Sequence, residues 1–133
     1  MKRFVLDANA VLALVGNRSG AGQVEHLFSE ARRTGVPLLM SVINWGEVIS
    51  ATWKTRGETE ARRVETTFRP LPLALCHVDE AMAFEAARHV AVHRLPYADS
   101  FAAALAERER ATLVTSDPDF KRLGKQLPIL WLR

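Results

Sequence analysis

The chain has 133 residues, of which 48% are hydrophobic and 25% charged, a composition typical of one globular domain. Its single cysteine, Cys76, excludes an internal disulfide and a cysteine-rich metal cage, so we expect a reducing, cytoplasmic setting. No segment reaches the ~20 apolar residues of a membrane span, so no membrane association is expected. The 18 Lys and Arg residues against 15 Asp and Glu give a formal net charge of +3, which permits a polyanionic partner without requiring one.

The predicted elements alternate between strands and helices. Short apolar runs predict strands at 4–6, 37–40, 71–78, 113–115 and 129–132. Helical spacing and turn residues predict helices at 9–15, 21–33, 42–55, 58–68, 80–93 and 97–109, with a short helix ending at 123. Asn9, Ser41 and Asp79 are predicted to cap the helices that follow them. This order predicts one α/β domain over residues 1–133, a three-layer sandwich whose central parallel sheet of about five strands is flanked by helices.

Two carboxylates follow apolar strands directly. Asp7 ends the first predicted strand and Asp117 follows the fourth. In a parallel sheet the carboxyl ends of all strands meet at one edge, where open α/β sheets bind their ligands. A strand-end Asp can also be a plain helix cap, but two of them at one edge indicate a site.

Two further acids lie inside apolar helices. Glu47 lies among the apolar residues Ile43, Trp45 and Val48. Its carboxylate could line a polar pocket. Alternatively, it could be half-exposed near the helix start, where the helix dipole favours an acid. Asp99 opens an alanine-rich helix that carries little charge and should be largely buried. A buried Asp is rare unless it is paired or bound to a metal.

Four converging acids would repel one another, and their pKa values would rise. A hard divalent cation with oxygen ligands, Mg²⁺ or Mn²⁺, would relieve the repulsion. Such an ion lowers the pKa of a bound water and orients a phosphodiester. The residues therefore predict metal-dependent phosphodiester hydrolysis at Asp7, Glu47, Asp99 and Asp117.

The chain resembles the PIN-domain family, and within it the VapC-type toxin ribonucleases of type II toxin–antitoxin pairs. The motifs that carry this resemblance are Val5-Leu-Asp7-Ala-Asn9, Asn44-Trp-Gly-Glu47-Val, Leu95-Pro-Tyr-Ala-Asp99 and Val114-Thr-Ser-Asp117-Pro-Asp-Phe. The resemblance implies Mg²⁺- or Mn²⁺-dependent endoribonuclease activity on an RNA substrate, and a homodimer neutralised by a small antitoxin protein.

Carried over residue by residue, the resemblance gives Asp7, Glu47, Asp99 and Asp117 the acidic catalytic and metal positions. Asn9 takes a small polar position that is often Ser or Thr in the family. Asp119 falls where some members have a further acid. We predict that Asn9, Ser116 and Asp119 are secondary or substrate-binding residues.

Two other functions remain open from the sequence. A phosphatase could use Asp7 as its nucleophile, but Asn9 replaces the second acid of the Asp-x-Asp motif that serves as general acid in haloacid-dehalogenase phosphatases. Alternatively, a PIN-like module could bind RNA or protein without cutting, which would require an incomplete acidic site. Metal-dependent RNA cleavage would indicate the nuclease, an acyl-phosphate would indicate the phosphatase, and binding without cleavage would indicate the binding module.

Overall fold

The computed structural model describes residues 2–133. Five strands, β1 (Phe4–Leu6), β2 (Leu38–Ser41), β3 (Leu73–Cys76), β4 (Thr112–Thr115) and β5 (Ile129–Trp131), alternate with helices. The helices are α1 (Ala8–Val15), α2 (Ala21–Thr34), α3 (Val42–Arg56), α4 (Glu58–Phe68), α5 (Glu80–His93) and α6 (Tyr97–Arg108), and a 3₁₀ helix spans Pro118–Leu123. None of these helices is both long and apolar enough to cross a bilayer.

The strands form one sheet in the order β3-β2-β1-β4-β5, with every pairing parallel. On the central strand, Val5 is in register with Leu39 on one side and Leu113 on the other. Because all strands run the same way, the residues that follow β1 and β4 share one edge of the sheet. The predicted parallel sheet of five strands is confirmed.

Successive strand residues point into separate cores on the two faces of the sheet. Val5 and Leu113 pack with α5 and α6, whereas Leu6 and Val114 pack with α1 to α4. All four side chains are fully buried, as expected for a parallel sheet covered on both faces. The predicted three-layer architecture is therefore confirmed.

Helix α6 lies close to the sheet because its buried face is built from small side chains. Ala102, Ala103, Ala104 and Ala106 are at most 3% exposed, and α6 contacts β1, β2 and β4. This helix carries Asp99 in its first turn, at the carboxyl edge of the sheet. The alanine-rich sequence thus brings a carboxylate close to the central strand.

Two details differ from the sequence predictions. The N-cap of α1 is Asp7, whose side chain accepts a hydrogen bond from the Ala10 amide, so the prediction that Asn9 is the cap was wrong. The helix begins as soon as β1 ends, which leaves Asn9 inside the first turn. Strand β3 is shorter than predicted because it lies at the sheet edge, where Pro72 precedes it and pairing comes from one side only.

Candidate metal-binding active site

Asp7 is held rigidly at the end of β1. Its side chain is 2% exposed, Oδ1 accepts the Ala10 amide at 3.0 Å, and Oδ2 accepts the hydroxyl of Thr115. Burial raises the pKa of Asp7 to about 7, against the opposing effect of these two hydrogen bonds. Repulsion from Asp117 and Glu47 also raises this pKa, so both carboxylates lie within electrostatic reach of Asp7.

Thr115 connects the two strand-end acids. It is fully buried at the end of β4, where its hydroxyl donates to Asp7 and accepts the Asp117 amide at 2.9 Å. One hydroxyl therefore sets the position of Asp7 and the backbone of Asp117 together. The sequence prediction missed this role, although a Thr ending an apolar strand two residues before Asp117 was a usable signal.

Glu47 is held by Asn44, three residues earlier on α3. The Asn44 amide donates to Glu47 Oε1 and to the carbonyl of Ala98, both at 3.0 Å. Asn44 is fully buried, and its own Oδ1 has no hydrogen-bond partner among residues 2–133. Because Ala98 directly precedes Asp99, this one side chain links the helix that carries Glu47 to the helix that carries Asp99.

Asp99 is the least satisfied acid of the group. Its Oδ2 is buried and accepts no hydrogen bond within the described chain. Burial is the main cause that raises the pKa of Asp99 to about 8, and the neighbouring Asp117 is the next. Two carboxyl groups can hydrogen-bond only when one of them carries a proton, which favours the protonated form. Repulsion from Asp7 and Glu47 acts in the same direction.

The tightest grouping of carboxylates differs from the set predicted. One oxygen from each of Asp99, Asp117 and Asp119 lies within 4.8 Å of the other two. Asp119, which we predicted as secondary, thus belongs to this grouping, although it also pairs with Arg122 at 3.3 Å. Its backbone amide donates to Asp117 Oδ1 at 2.9 Å, which fixes the turn after β4. Asp7 and Glu47 lie outside this grouping but within electrostatic reach of Asp99.

These residues fit a divalent cation. The unpartnered Asp99 oxygen is a buried acceptor that lacks a positive group, and oxygen ligands are those that Mg²⁺ and Mn²⁺ prefer. None of Asp7, Glu47, Asp99 and Asp117 forms an ion pair with a basic side chain of residues 2–133. A cation would supply the charge compensation that the protein does not.

The two neutral secondary residues lie together beside the acids. Asn9 is half-buried in α1, Ser116 is exposed after β4, and both line one cavity of about 300 Å³. Asn9 lies two residues after Asp7 and Ser116 directly precedes Asp117, so this cavity adjoins the two strand-end acids.

The PIN domain family matches residues 4–126 of the sequence. The chain belongs to the PIN domain family. No curated protein sequence matches it significantly.

Solved structures with the same fold include toxin–antitoxin proteins. VapBC2 from Rickettsia felis, bound to a promoter DNA fragment, is 16% identical over 98% of both chains, with a TM-score of 0.79. DNA-bound VapBC from Salmonella typhimurium is 21% identical over 98% of both chains, with a TM-score of 0.74. VapC20 from Mycobacterium tuberculosis, a toxin that cleaves the sarcin-ricin loop, is 17% identical over 91% of this PIN domain and 95% of its own chain, with a TM-score of 0.67.

Proposed function

We propose that this PIN domain is a Mg²⁺- or Mn²⁺-dependent endoribonuclease and the toxin of a type II toxin–antitoxin pair. The observation that carries the proposal is the buried, unpartnered oxygen of Asp99 close to Asp117, where neither carboxylate forms an ion pair with a basic side chain of residues 2–133. VapC20, which has the same fold and cleaves the sarcin-ricin loop, supports RNA as the substrate. Asp7, Glu47, Asp99 and Asp117 are assigned the catalytic and metal-binding roles, with Asn9, Ser116 and Asp119 secondary.

The chain's own residues organise this site before any ligand arrives. Thr115 and the Ala10 amide hold Asp7, while Asn44 holds Glu47. One oxygen of Asp99 lies within 4.8 Å of one oxygen of Asp117. When bound, a divalent cation would neutralise the phosphate and lower the pKa of an attacking water. Carboxylates fixed in this way require little reorganisation during the reaction.

Partners and location follow as further parts of the proposal. The VapBC structures with the same fold contain an antitoxin with the toxin, which supports a small protein inhibitor for this chain.

A homodimer is supported by large apolar side chains left exposed on α5, where Phe84 is 73% and Val92 63% exposed. We also propose a cytoplasmic location, where both RNA and a reduced Cys76 are found.

The structure argues against Asp7 as the nucleophile of a phosphatase. A nucleophilic carboxylate must reach the phosphorus atom with a free oxygen. Here both oxygens of Asp7 already accept one hydrogen bond and the side chain is 2% exposed, which hinders the approach of a phosphorus atom. Each oxygen keeps a second lone pair, which can still bind a small cation. The geometry instead suits a carboxylate that is fixed in place while another group attacks.

Cleavage of a mixed RNA pool by the purified protein tests the proposal. The reactions contain Mn²⁺, Mg²⁺ or a chelator, with wild type and Asp99→Asn compared at equal concentration. Glu25→Gln, which removes an exposed carboxylate from α2, is the matched control. The protein is purified under conditions that remove a bound antitoxin, because an inhibitor would mimic inactivity.

We expect cleavage that requires the cation, is lost in Asp99→Asn by at least about a hundredfold, and is unchanged in Glu25→Gln. RNA binding by Asp99→Asn should remain. RNA binding without cleavage by the wild type under every cation would indicate the non-cleaving binding module instead. Cleavage that survives in Asp99→Asn would overturn the assignment of the site.

A further inference from the structure

The cavity beside the acid cluster has the composition of an anion site. We call it the Arg18 pocket; it is lined by Asn9, Ala13, Arg18, Ser19, Ser116 and Leu132. Its polar groups are one guanidinium, two hydroxyls and one amide, and no carboxylate lines it. Asn9 lies two residues after Asp7, and Ser116 directly precedes Asp117, so the pocket adjoins the acids.

The charge of Arg18 is not used within the protein. Exposed arginines on the helices pair with acids nearby, such as Arg62 with Glu58 at 2.8 Å. Arg18 has no carboxylate within 4.0 Å in residues 2–133. Its positive charge therefore remains available to an anion from outside.

The loop that carries Arg18 is fixed on both sides of that residue. The Arg18 amide donates to the Ala13 carbonyl at 2.8 Å, and the Arg18 carbonyl accepts the Ala21 amide at 3.0 Å. Gly20 adopts φ +94°, and a Cβ there would lie 2.8 Å from Cβ of Leu132. This close contact packs the end of the loop against the residue that follows β5.

A second glycine leaves room for the Arg18 side chain. A Cβ added to Gly16 would lie 3.0 Å from Nε of Arg18 and 3.3 Å from its Cγ. The Arg18 side chain therefore packs against the Gly16 backbone, and it also lines the pocket. Since the backbone on both sides of Arg18 is hydrogen-bonded, the fold sets the position of the loop that carries this charge.

We propose that the Arg18 pocket binds an RNA backbone phosphate adjoining the one that is cleaved, with Arg18 as a substrate-positioning residue. This inference rests on the proposed nuclease function. The planar guanidinium matches two phosphate oxygens, and Ser19, Ser116 and Asn9 can supply further donors. The acid cluster repels a polyanion, so a cationic group beside it is needed to hold the strand there.

Binding of a fluorescein-labelled single-stranded RNA to the full chain tests the pocket in EDTA, where metal-dependent cleavage is absent. Anisotropy gives the Kd of wild type, Arg18→Ala and Arg18→Lys over a range of salt concentrations. Arg32→Ala is the matched control, since Arg32 is exposed and has no carboxylate partner within the described chain. Arg32 lies near the end of α2, whereas the start of that helix, at Gly20, contacts Leu132, which lines the pocket. The control therefore removes a positive charge at the other end of the helix from the pocket.

We expect Arg18→Ala to bind about tenfold more weakly and to lower the salt slope by about one. Arg18→Lys should restore the slope but only part of the affinity, because an ammonium lacks the planar fork. Arg32→Ala should stay within about twofold of wild type. In the cleavage assay with Mn²⁺, Arg18→Ala should raise KM about tenfold and change kcat much less.

The outcomes separate the pocket from the nuclease. Cation-dependent cleavage with the same Kd and KM in Arg18→Ala and wild type overturns the pocket and leaves the nuclease intact. RNA binding that depends on Arg18, without cleavage under any cation, overturns the nuclease and supports the pocket. Equal losses in Arg18→Ala and Arg32→Ala indicate diffuse charge attraction and overturn the pocket. If the pocket instead binds an acidic protein segment, RNA binding will not depend on Arg18, and that result overturns the pocket as an RNA site.

Discussion

Thr115 donates a hydrogen bond to Oδ2 of Asp7 across the β1–β4 pairing, and the same hydroxyl accepts the Asp117 amide. Two acids separated by 110 positions in the sequence (7 and 117) are thus fixed by one buried atom. The relationship depends on the strand register, in which Leu6 lies opposite Val114 and the following residues meet at the edge. The relative position of these two acids is therefore set by the sheet.

Thr115→Val should disturb the site while keeping the shape of the side chain. The change removes a donor from Asp7 and an acceptor from the Asp117 amide, so we expect unfolding free energy to fall by about 1–3 kcal/mol. Cleavage activity should fall more than RNA binding. Urea unfolding and cleavage assays measure the two effects. Thr115→Ser keeps the hydroxyl and should stay near wild type in both stability and activity. A Thr115→Val protein as active as wild type would contradict the positioning role of Thr115.

Asn44→Ala should release Glu47 and loosen the contact between α3 and α6. The side chain donates to Glu47 and to the Ala98 carbonyl, so its removal leaves both acceptors without that donor. We expect kcat to fall by roughly 10–100-fold, the usual effect of losing a group that orients a metal ligand. Ser50→Ala on the same helix is the control, because the exposed Ser50 hydroxyl bonds only to the carbonyl of Glu47. If the kcat of Asn44→Ala equals that of both wild type and Ser50→Ala, Asn44 has no role in positioning the site.

Divalent cations should stabilise the protein through Asp99. A ligand that binds only the folded state adds about 2.7 kcal/mol at a concentration roughly 100 times its Kd. We expect Mn²⁺ to raise the Tm of wild type and of Glu25→Gln equally. Asp99→Asn should melt higher than wild type in chelator, because the wild-type carboxyl must either take up a proton or bury a charge on folding. It should also lose the Mn²⁺ response. Asp119→Asn should keep part of it. An Asp99→Asn protein that responds like wild type would place the cation elsewhere.

Asp7 should make the fold more stable toward low pH when no metal is bound. Burial raises its pKa from 3.8 to about 7, so the folded protein binds this proton more tightly than the unfolded chain. That contribution is fully present below about pH 4 and is lost as pH rises through about 7. Asp7→Asn should therefore exceed wild type in unfolding free energy by on the order of 4 kcal/mol at about pH 8, and the gap should close toward about pH 4.

Asp79 provides a comparison of opposite sign, because it is also an N-cap but is exposed. Its hydrogen bond from the Met82 amide lowers the pKa of its carboxyl, so its contribution is present at neutral pH and lost as pH falls through the lowered value. Asp79→Asn should therefore be less stable than wild type at neutral pH. Urea unfolding in EDTA across this pH range measures both variants. A constant difference between Asp7→Asn and wild type would contradict the buried-charge account.

The sequence alone determined the alternation of strands and helices, the parallel sheet, and the position of Asp7 and Asp117 at its carboxyl edge. These features follow from apolar runs, helical spacing and turn residues, which depend on near neighbours in the chain. It also determined that Asp99 needed an explanation, since an Asp opening an alanine-rich helix is costly to bury. Membership of the PIN domain family was predicted from the four motifs and is confirmed.

Only the tertiary structure decided which partners each acid has. It assigned the cap of α1 to Asp7 instead of Asn9, brought Asp119 together with Asp99 and Asp117, and set Arg18 beside them without a carboxylate partner in the described chain. These relationships join residues up to about a hundred positions apart, so they depend on strand register and on how closely α6 approaches the sheet. Local sequence patterns carry no information about distances of that kind, because such distances arise when the layers pack.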